Sequence, residues 1–280
     1  MNIRDRIKVE TKDYPLYNIR YDQYKQAENS IPFRVSSQPF GLTKSQTKEL
    51  DDIGKAICGY MDFVIELYNE DDGVRALLNR GKPHIFCEKE RPKYLFLRPD
   101  LILTKDGFSI CEIETSPFGL ALAEILNNAY GNEKFETIVE QNKLKNYVSS
   151  QLQDSGTIAY SDKVSAFKGQ MKFLADQVFS SGDKKWTSKL IDGQKLDEGE
   201  IYRAFYLSEF FTDENVKNLL EEARKFTPTL TPQFEEKALL SFIWDKRYIE
   251  FFKNRLGGAT YQYLKKIIPP TWIVRTRRSL

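Results

Sequence analysis

Four charged residues suited to metal chemistry lie within a short window of the sequence. Arg98 and Asp100 come first, and Glu112 and Glu114 follow after a gap. Residues i and i+2 of a β-strand point to the same face, so each pair would share one face of its strand. The Asp-Gly dipeptide at 106–107 predicts a hairpin turn, which would bring the two pairs opposite each other. Three carboxylates beside a guanidinium suit a divalent cation next to a fixed positive charge.

A cross-strand ion pair on a solvated face is the plainest alternative, since such pairs contribute little to stability. The apolar residues around the four charges argue against it. They are Leu95, Leu97, Leu101, Leu103, Ile110 and Ile113. Like charges within such a core are costly unless a cation or Arg98 compensates them.

Composition narrows the classes of partner. The chain has 280 residues, of which 41% are hydrophobic and 29% charged, so it can form a globular core. Its net charge of +2 provides no strong field for nucleic acid or a membrane surface, and we expect neither partner. No run reaches the roughly 20 apolar residues of a membrane span.

Cysteine and histidine usage restricts the chemistry further. Cys58, Cys87 and Cys111 form no C-x-x-C pair, so a zinc knuckle or redox motif is not indicated. An odd number of cysteines behind an N-terminus without an apolar signal region favours a reducing, cytoplasmic location. His84 is the sole histidine and no G-x-S-x-G motif occurs, which disfavours a serine hydrolase.

The pattern of elements predicts an α/β or mixed α+β fold, with a central sheet that contains the hairpin at 94–114 and is flanked by helices. Further strands are predicted at 85–87, 157–160, 186–191, 201–207 and 272–274. Helices are predicted from Thr43 onward and at 71–78, 120–130, 135–151, 163–179, 215–225, 235–244, 248–256 and 261–267. We divide the chain into an N-terminal arm (1–40), a helical and hairpin region with the acidic site (41–150), a small α/β layer (151–230) and a helical C-terminal connector (231–280).

The window from Arg98 to the loop at 115–119 resembles the glutathionylspermidine synthase type of ATP-grasp ligase and its circularly permuted relatives. Two later segments agree with this in order. The α/β unit around 157–207 is similar to the family's pre-ATP-grasp domain. The segment 234–271, with K-A-L-L at 237–240 and I-P-P-T at 268–271, is similar to its connector. The likeness spans residues 35–274 and is tight in the carboxylate window and in the connector.

The resemblance implies a role for each charged residue. Arg98 would stabilise the phosphoryl group in transfer, and Asp100 and Glu112 would bind Mg²⁺. Glu114 stands where the family usually has Asn. A carboxylate is still an oxygen ligand for Mg²⁺, but its added charge would hold the metal more tightly and repel phosphate. The implied reaction joins a carboxylate to an amine through an acyl phosphate and forms an amide or peptide-like bond.

The resemblance also implies the substrates. Thr115 and Ser116 would contact a small-molecule or peptide-like substrate. The family's ATP-binding lysines and glycine-rich loop follow the connector, and none is found before Leu280; Gly257-Gly258 lacks the following Lys-Ser/Thr. We therefore expect that the nucleotide lobe is missing, that a separate lobe or chain would have to supply the ATP site, and that the 280 residues alone lack complete ligase activity.

Two other classes remain open. Pro99-Asp100 with Glu112-x-Glu114 also has the spacing of Mg²⁺-dependent nucleases of the PD-(D/E)xK type, although Glu114 then occupies the lysine position. A degenerate, non-catalytic module that binds a ligand or a partner chain is the third. Both enzyme classes require a divalent metal, whereas the binding module does not.

Overall fold

The computed structural model describes residues 3–14, 19–20, 33–34, 36, 38–87, 92, 94–115, 118–131, 138–140, 142–222 and 224–274. The chain forms two compact units, each built from two stretches of sequence. Unit 1 comprises Met1–Gly41 and Pro117–Thr229, and unit 2 comprises Leu42–Ser116 and Leu230–Leu280. The hairpin with the acidic residues therefore belongs to unit 2, and the α/β layer belongs to unit 1.

Both units mix helices and strands. The α-helices are α1 (Ile3–Glu10), α2 (Lys44–Glu70), α3 (Asp72–Leu78), α4 (Leu120–Gly131), α5 (Lys143–Gln151), α6 (Lys168–Phe173), α7 (Glu214–Glu221), α8 (Ile249–Leu256) and α9 (Gly258–Ile267). The strands are β1 (Ile19–Arg20), β2 (Phe33–Arg34), β3 (Arg98–Thr104), β4 (Gly107–Glu114), β5 (Ser155–Tyr160), β6 (Lys185–Leu190), β7 (Glu200–Ala204) and β8 (Phe226–Thr227). This confirms the predicted α/β class. Among the residues described, no helix has the length and apolar character needed to cross a membrane.

The described residues also form 3₁₀ helices and one π-helical segment. The 3₁₀ helices are His84–Phe86, Asp162–Phe167, Leu207–Phe211, Pro232–Phe234, Lys237–Trp244 and Lys246–Tyr248, and Leu174–Phe179 forms a π-helical segment. In unit 1 the helical stretch predicted at 163–179 is thus divided among three kinds of helical turn.

In unit 2 the long helix α2 contributes many of the buried apolar residues of the core. Thr43 and Gln46 cap its start reciprocally, because the Thr43 hydroxyl accepts from the Gln46 N–H and the Gln46 side chain accepts from the Thr43 N–H. Its apolar face is buried at helical spacing, and Tyr60 donates to the Leu239 carbonyl oxygen at 2.6 Å. The same core takes in Ile110 and Ile113 of the hairpin and apolar residues of α8 and α9. The core thereby holds the hairpin through Ile110 and Ile113.

Unit 1 contains a four-stranded parallel sheet in the order β6-β5-β7-β8. β5 is central, and Ile158 and Ala159 in it are fully buried. Parallel strands covered on both faces are buried along their length, and all five residues of β7 are buried, including the charged Glu200 and Arg203. The strands predicted at 157–160, 186–191 and 201–207 are present with shifted ends, since residue 207 already begins a 3₁₀ helix.

Four further predicted elements differ from the structure. Residues 85–87 do not form a strand, because His84–Phe86 is a 3₁₀ helix after Pro83. Residues 272–274 are outside any strand, and Trp272 and Val274 are exposed. An apolar run becomes a strand only where a partner strand completes its hydrogen bonds. The helix predicted at 135–151 starts at Lys143 in the described residues, and the segment predicted as a helix at 235–244 is a 3₁₀ helix from Lys237.

Gly156 allows a close backbone approach in the parallel sheet. A Cβ atom there would overlap the carbonyl oxygen of Glu200 and the ring of Trp186. We expect Gly156→Ala to lower the free energy of unfolding by about 1–3 kcal/mol, the range for overpacking. Gly54→Ala is the matched control, because Gly54 lies in α2 with open space around its Cα, and this change should stabilise by about 0.5–1 kcal/mol. Urea denaturation measures both, and a neutral Gly156→Ala would contradict the packing.

Glu200 links the stability of the fold to pH. Burial raises its pKa, but hydrogen bonds from Thr227, the Gln153 N–H and Lys225 outweigh burial and hold the pKa below its ordinary value of 4.5. A depressed pKa contributes stability above pH 4.5, and this contribution is lost as the pH falls through the pKa of the folded state. We expect Glu200→Gln to cost about 1.5–3 kcal/mol at pH 7 and to flatten the acid limb of stability against pH. Glu221→Gln, a change of an exposed residue at the end of α7, is the control. An unchanged acid limb in Glu200→Gln would contradict this.

Candidate functional site

The hairpin places the four predicted residues on one face. In the antiparallel register Arg98 lies opposite Glu114, and Asp100 lies opposite Glu112. The guanidinium Nη2 of Arg98 is 3.3 Å from Oε2 of Glu114. Asp100 is exposed, whereas the other three are half-buried. The sequence-based prediction that the two pairs would face each other is confirmed.

A β-bulge turns the acidic residues away from the core. The register shifts between Asp100 and Leu101, and Cys111 is the extra residue of β4 without a partner. Strict alternation from buried Ile110 would have pointed Glu112 into the core. With the extra residue, Ile110 and Ile113 are both buried and Cys111 is exposed. The sequence carries a signal for this, since apolar residues three apart cannot share one face of a regular strand.

Lys237 completes the site and was not among the predicted site residues. Its Nζ lies 3.0 Å from Oε2 of Glu112, and the hydrogen bond and charge of Glu112 raise the pKa of Lys237. Lys237 begins a 3₁₀ helix whose Leu240 and Phe242 are buried in the core of unit 2, while its own side chain is 66% exposed. Sequence spacing could not reveal it, because it lies far along the chain from the hairpin.

The surroundings of Glu114 disfavour its ionised form. Burial is the main cause that raises the pKa of Glu114 above its ordinary value. The Arg98 guanidinium lowers that pKa, but the nearby carboxylates of Glu112, Asp100 and Glu235 raise it again. An added cation would relieve both the repulsion and the desolvation of these groups.

The carboxylate ligands of this face are of the type that binds Mg²⁺, but two of them are already paired with cationic side chains of the protein. Carboxylate oxygens are the ligands that Mg²⁺ prefers. Glu112 is paired with Lys237, and Glu114 is paired with Arg98. Across the described part of the chain, no three side chains of His, Cys, Asp or Glu are grouped closely enough to hold a metal ion together. A metal would therefore have to draw Glu112 away from Lys237, which the exposure of that lysine permits.

The predicted substrate contacts lie directly after β4. Thr115 is only 3% exposed, and its hydroxyl has no hydrogen-bond partner within the described ranges. A buried hydroxyl without a partner is costly, so it is a feature that a bound ligand would satisfy. Ser116 lies outside the described residues, and its role stays a prediction.

Two comparisons with known proteins find no relative. No protein-family model matches the chain, and the search of curated proteins returns no match. The interpretation of the hairpin therefore depends on its own geometry and charge.

The acidic residues should contribute little to folding. Both ion pairs are partly exposed, and such pairs stabilise weakly. We expect Glu112→Gln and Glu114→Gln to leave the free energy of unfolding close to that of the wild type, because burial already disfavours the ionised form of Glu114. Ile113→Ala between them, with a side chain that is 6% exposed, should instead cost about 2–5 kcal/mol. Urea denaturation of the three variants measures the free energy of unfolding. A large decrease in either Gln variant would show that these carboxylates stabilise the fold.

Proposed function

We propose that the chain is the substrate- and metal-binding part of a ligase of the ATP-grasp type, which joins a carboxylate to an amine in an amide or peptide-like bond. One observation carries the proposal. The hairpin register sets Arg98 against Glu114 and Asp100 against Glu112 on one face, and three carboxylates share that face with two cations. This is the combination of oxygen ligands and fixed positive charge that phosphoryl transfer requires.

In this proposal each side chain has a distinct task. Asp100, Glu112 and Glu114 are the residues that would hold Mg²⁺, and when bound the ion supplies charge neutralisation for phosphate oxygens. Arg98 presents its guanidinium fork from the hairpin, where it would orient and neutralise the transferred phosphoryl group. Lys237 neutralises Glu112 until a ligand takes its place. The Thr115 hydroxyl is the donor or acceptor offered to the substrate.

The proposal keeps the expectations about partners. A small-molecule or peptide-like carboxylate is the expected substrate, and ATP would be bound by a nucleotide lobe or partner chain. The three free cysteines are compatible with the cytoplasm, which we propose as the location.

A nuclease is the second candidate, and Lys237 is the observation that favours it. The PD-(D/E)xK chemistry needs a lysine beside its metal-binding acids, and Glu114 occupies that place in the sequence. In space, Lys237 is next to Glu112 and close enough for Asp100 to influence its pKa. The net charge of +2 speaks against a general affinity for DNA.

Titration with Mn²⁺, followed by the loss of its free electron paramagnetic resonance signal, tests the metal site in both candidates. We expect one saturable site, with affinity reduced about tenfold or more by Asp100→Asn, Glu112→Gln or Glu114→Gln. Lys237→Met should raise the affinity, because it removes a competing cation from Glu112. Asp106→Asn, an exposed change in the turn of the same hairpin, is the matched control and should have no effect.

The outcomes separate the candidates. Binding that is unaffected by all three acidic variants would exclude the hairpin as the metal site and remove the basis of the proposal. Incubation with plasmid DNA and Mn²⁺ is the second arm. Cleavage that disappears in Asp100→Asn would replace the ligase with the nuclease, and intact plasmid together with hairpin-dependent Mn²⁺ binding would favour the ligase.

A further inference from the structure

A cavity in unit 1 holds polar groups that the hairpin chemistry does not use. Its volume is about 360 Å³, within the size range of small-molecule sites. Residues from α1 and the turn after it, α4, α5, α6 and the π-helical segment line it. Those that matter here are Glu10, Tyr14, Glu124, Asn128, Lys145 and Phe173. All of them belong to unit 1, and the inference does not depend on the proposed function.

Glu124 is the unusual residue of this cavity. It stands on the face of α4 that buries Leu120, Ala121 and Ile125, where an apolar side chain is expected, and it is only 2% exposed. Its Oε1 accepts from Asn128 Nδ2 at 3.3 Å. Its Oε2 is buried and has no hydrogen-bond partner within the described part of the chain. An unsatisfied buried carboxyl oxygen is costly, so this atom points to a donor supplied by a ligand.

The charges around Glu124 define that donor. Glu10 and Asp13 add two further carboxyl groups to the lining, against the single ammonium of Lys145. Lys145 is near enough for its charge to lower the pKa of Glu124, which burial raises, but it makes no hydrogen bond to the free oxygen. The wall of the cavity is therefore negative in sum, which favours a cationic group.

A metal ion fits this cavity poorly. Metal sites built from carboxylates need several ligands around one point, and the described residues contain no such group of three. An ammonium group needs only one carboxylate and neutral acceptors within hydrogen-bond reach. We propose that this cavity binds the primary ammonium group of a small organic molecule, with Oε2 of Glu124 as its acceptor.

The apolar part of the ligand has a wall to contact. Tyr14 and Phe173 pack edge to face with their ring centroids 5.4 Å apart. Tyr14 is held in place by hydrogen bonds to Asp176 and from Gln177. Lys172 already lies 5.0 Å from the centroid of the Tyr14 ring, so this aromatic pair is suited to an alkyl chain more than to a second cation.

Isothermal titration of the full chain with n-butylammonium tests the proposal. n-Butanol is the neutral probe of the same chain length, and L-norleucine carries the same alkyl chain on an α-amino acid. We expect n-butylammonium to bind at least tenfold more tightly than n-butanol. Glu124→Gln should reduce that affinity about tenfold or more, because a charge-assisted hydrogen bond is lost. Glu221→Gln, which is exposed on α7 and outside the cavity, is the control and should leave it unchanged.

Lys145→Met should change the affinity in the opposite direction to Glu124→Gln. It also distinguishes an α-amino acid from a free amine as the ligand. It should raise the affinity for n-butylammonium several-fold, since a like charge is removed from the cavity. If norleucine binds more tightly than n-butylammonium and Lys145→Met weakens it, the ligand is an α-amino acid whose carboxylate pairs with Lys145. If n-butylammonium binds more tightly, the ligand is a free amine.

Three results would overturn the proposal. They are the absence of saturable binding of either amine up to about 10 mM, equal binding of n-butanol, and an affinity that Glu124→Gln does not change. Glu124→Gln is expected to fold, because Gln has the size and shape of Glu and its amide oxygen can still accept from Asn128. Should it fail to fold, Lys145→Met decides alone, and an affinity for n-butylammonium that does not rise would contradict the assignment.

Discussion

One extra residue in β4 decides what the hairpin can do. Regular alternation would bury every second residue after Ile110, and Glu112 would then have to lose its hydration within the core of unit 2. The bulge at Cys111 reverses the alternation at that point, so that Ile113 remains in the core and both glutamates share a face with Arg98. The bulge sacrifices regular pairing at one position of the ladder, which is cheaper than burying a carboxylate. The acidic face thus depends on the apolar core beneath it.

The two cations on that face differ in kind. Arg98 comes from the same hairpin as its partner, and its planar guanidinium is always charged. Lys237 reaches Glu112 from another segment with a flexible and largely exposed side chain. The face therefore combines one fixed counter-ion with one that can be exchanged. Such an arrangement gives Glu112 a counter-ion that an incoming cation can displace.

The sequence predicts the hairpin well, and for physical reasons. The Asp-Gly turn, the apolar flanks and the period of two are local signals, and together they determine which residues of β3 and β4 face each other. Lys237 could not be predicted, because only the packing of Leu240 and Phe242 brings it to the hairpin. Ile110 and Ile113 lie three residues apart, which indicates a bulge between them. The position of the extra residue depends on how the side chains pack in the core. The burial of Glu124 could not be predicted from the sequence, because a glutamate in an otherwise apolar helix is usually exposed.

The discontinuity of unit 2 has a consequence for how the protein is made. Tyr60 of α2 donates to Leu239, a residue 179 positions later. At 5–20 residues per second, roughly 10–35 s separate the emergence of the two from the ribosome. During that time the apolar stripe of α2 and the inner side of the hairpin have no complete core to cover them, and closing so long a loop carries an entropic penalty. The nascent chain therefore exposes apolar surface, which favours aggregation, until the second stretch of unit 2 at 230–280 has been synthesised.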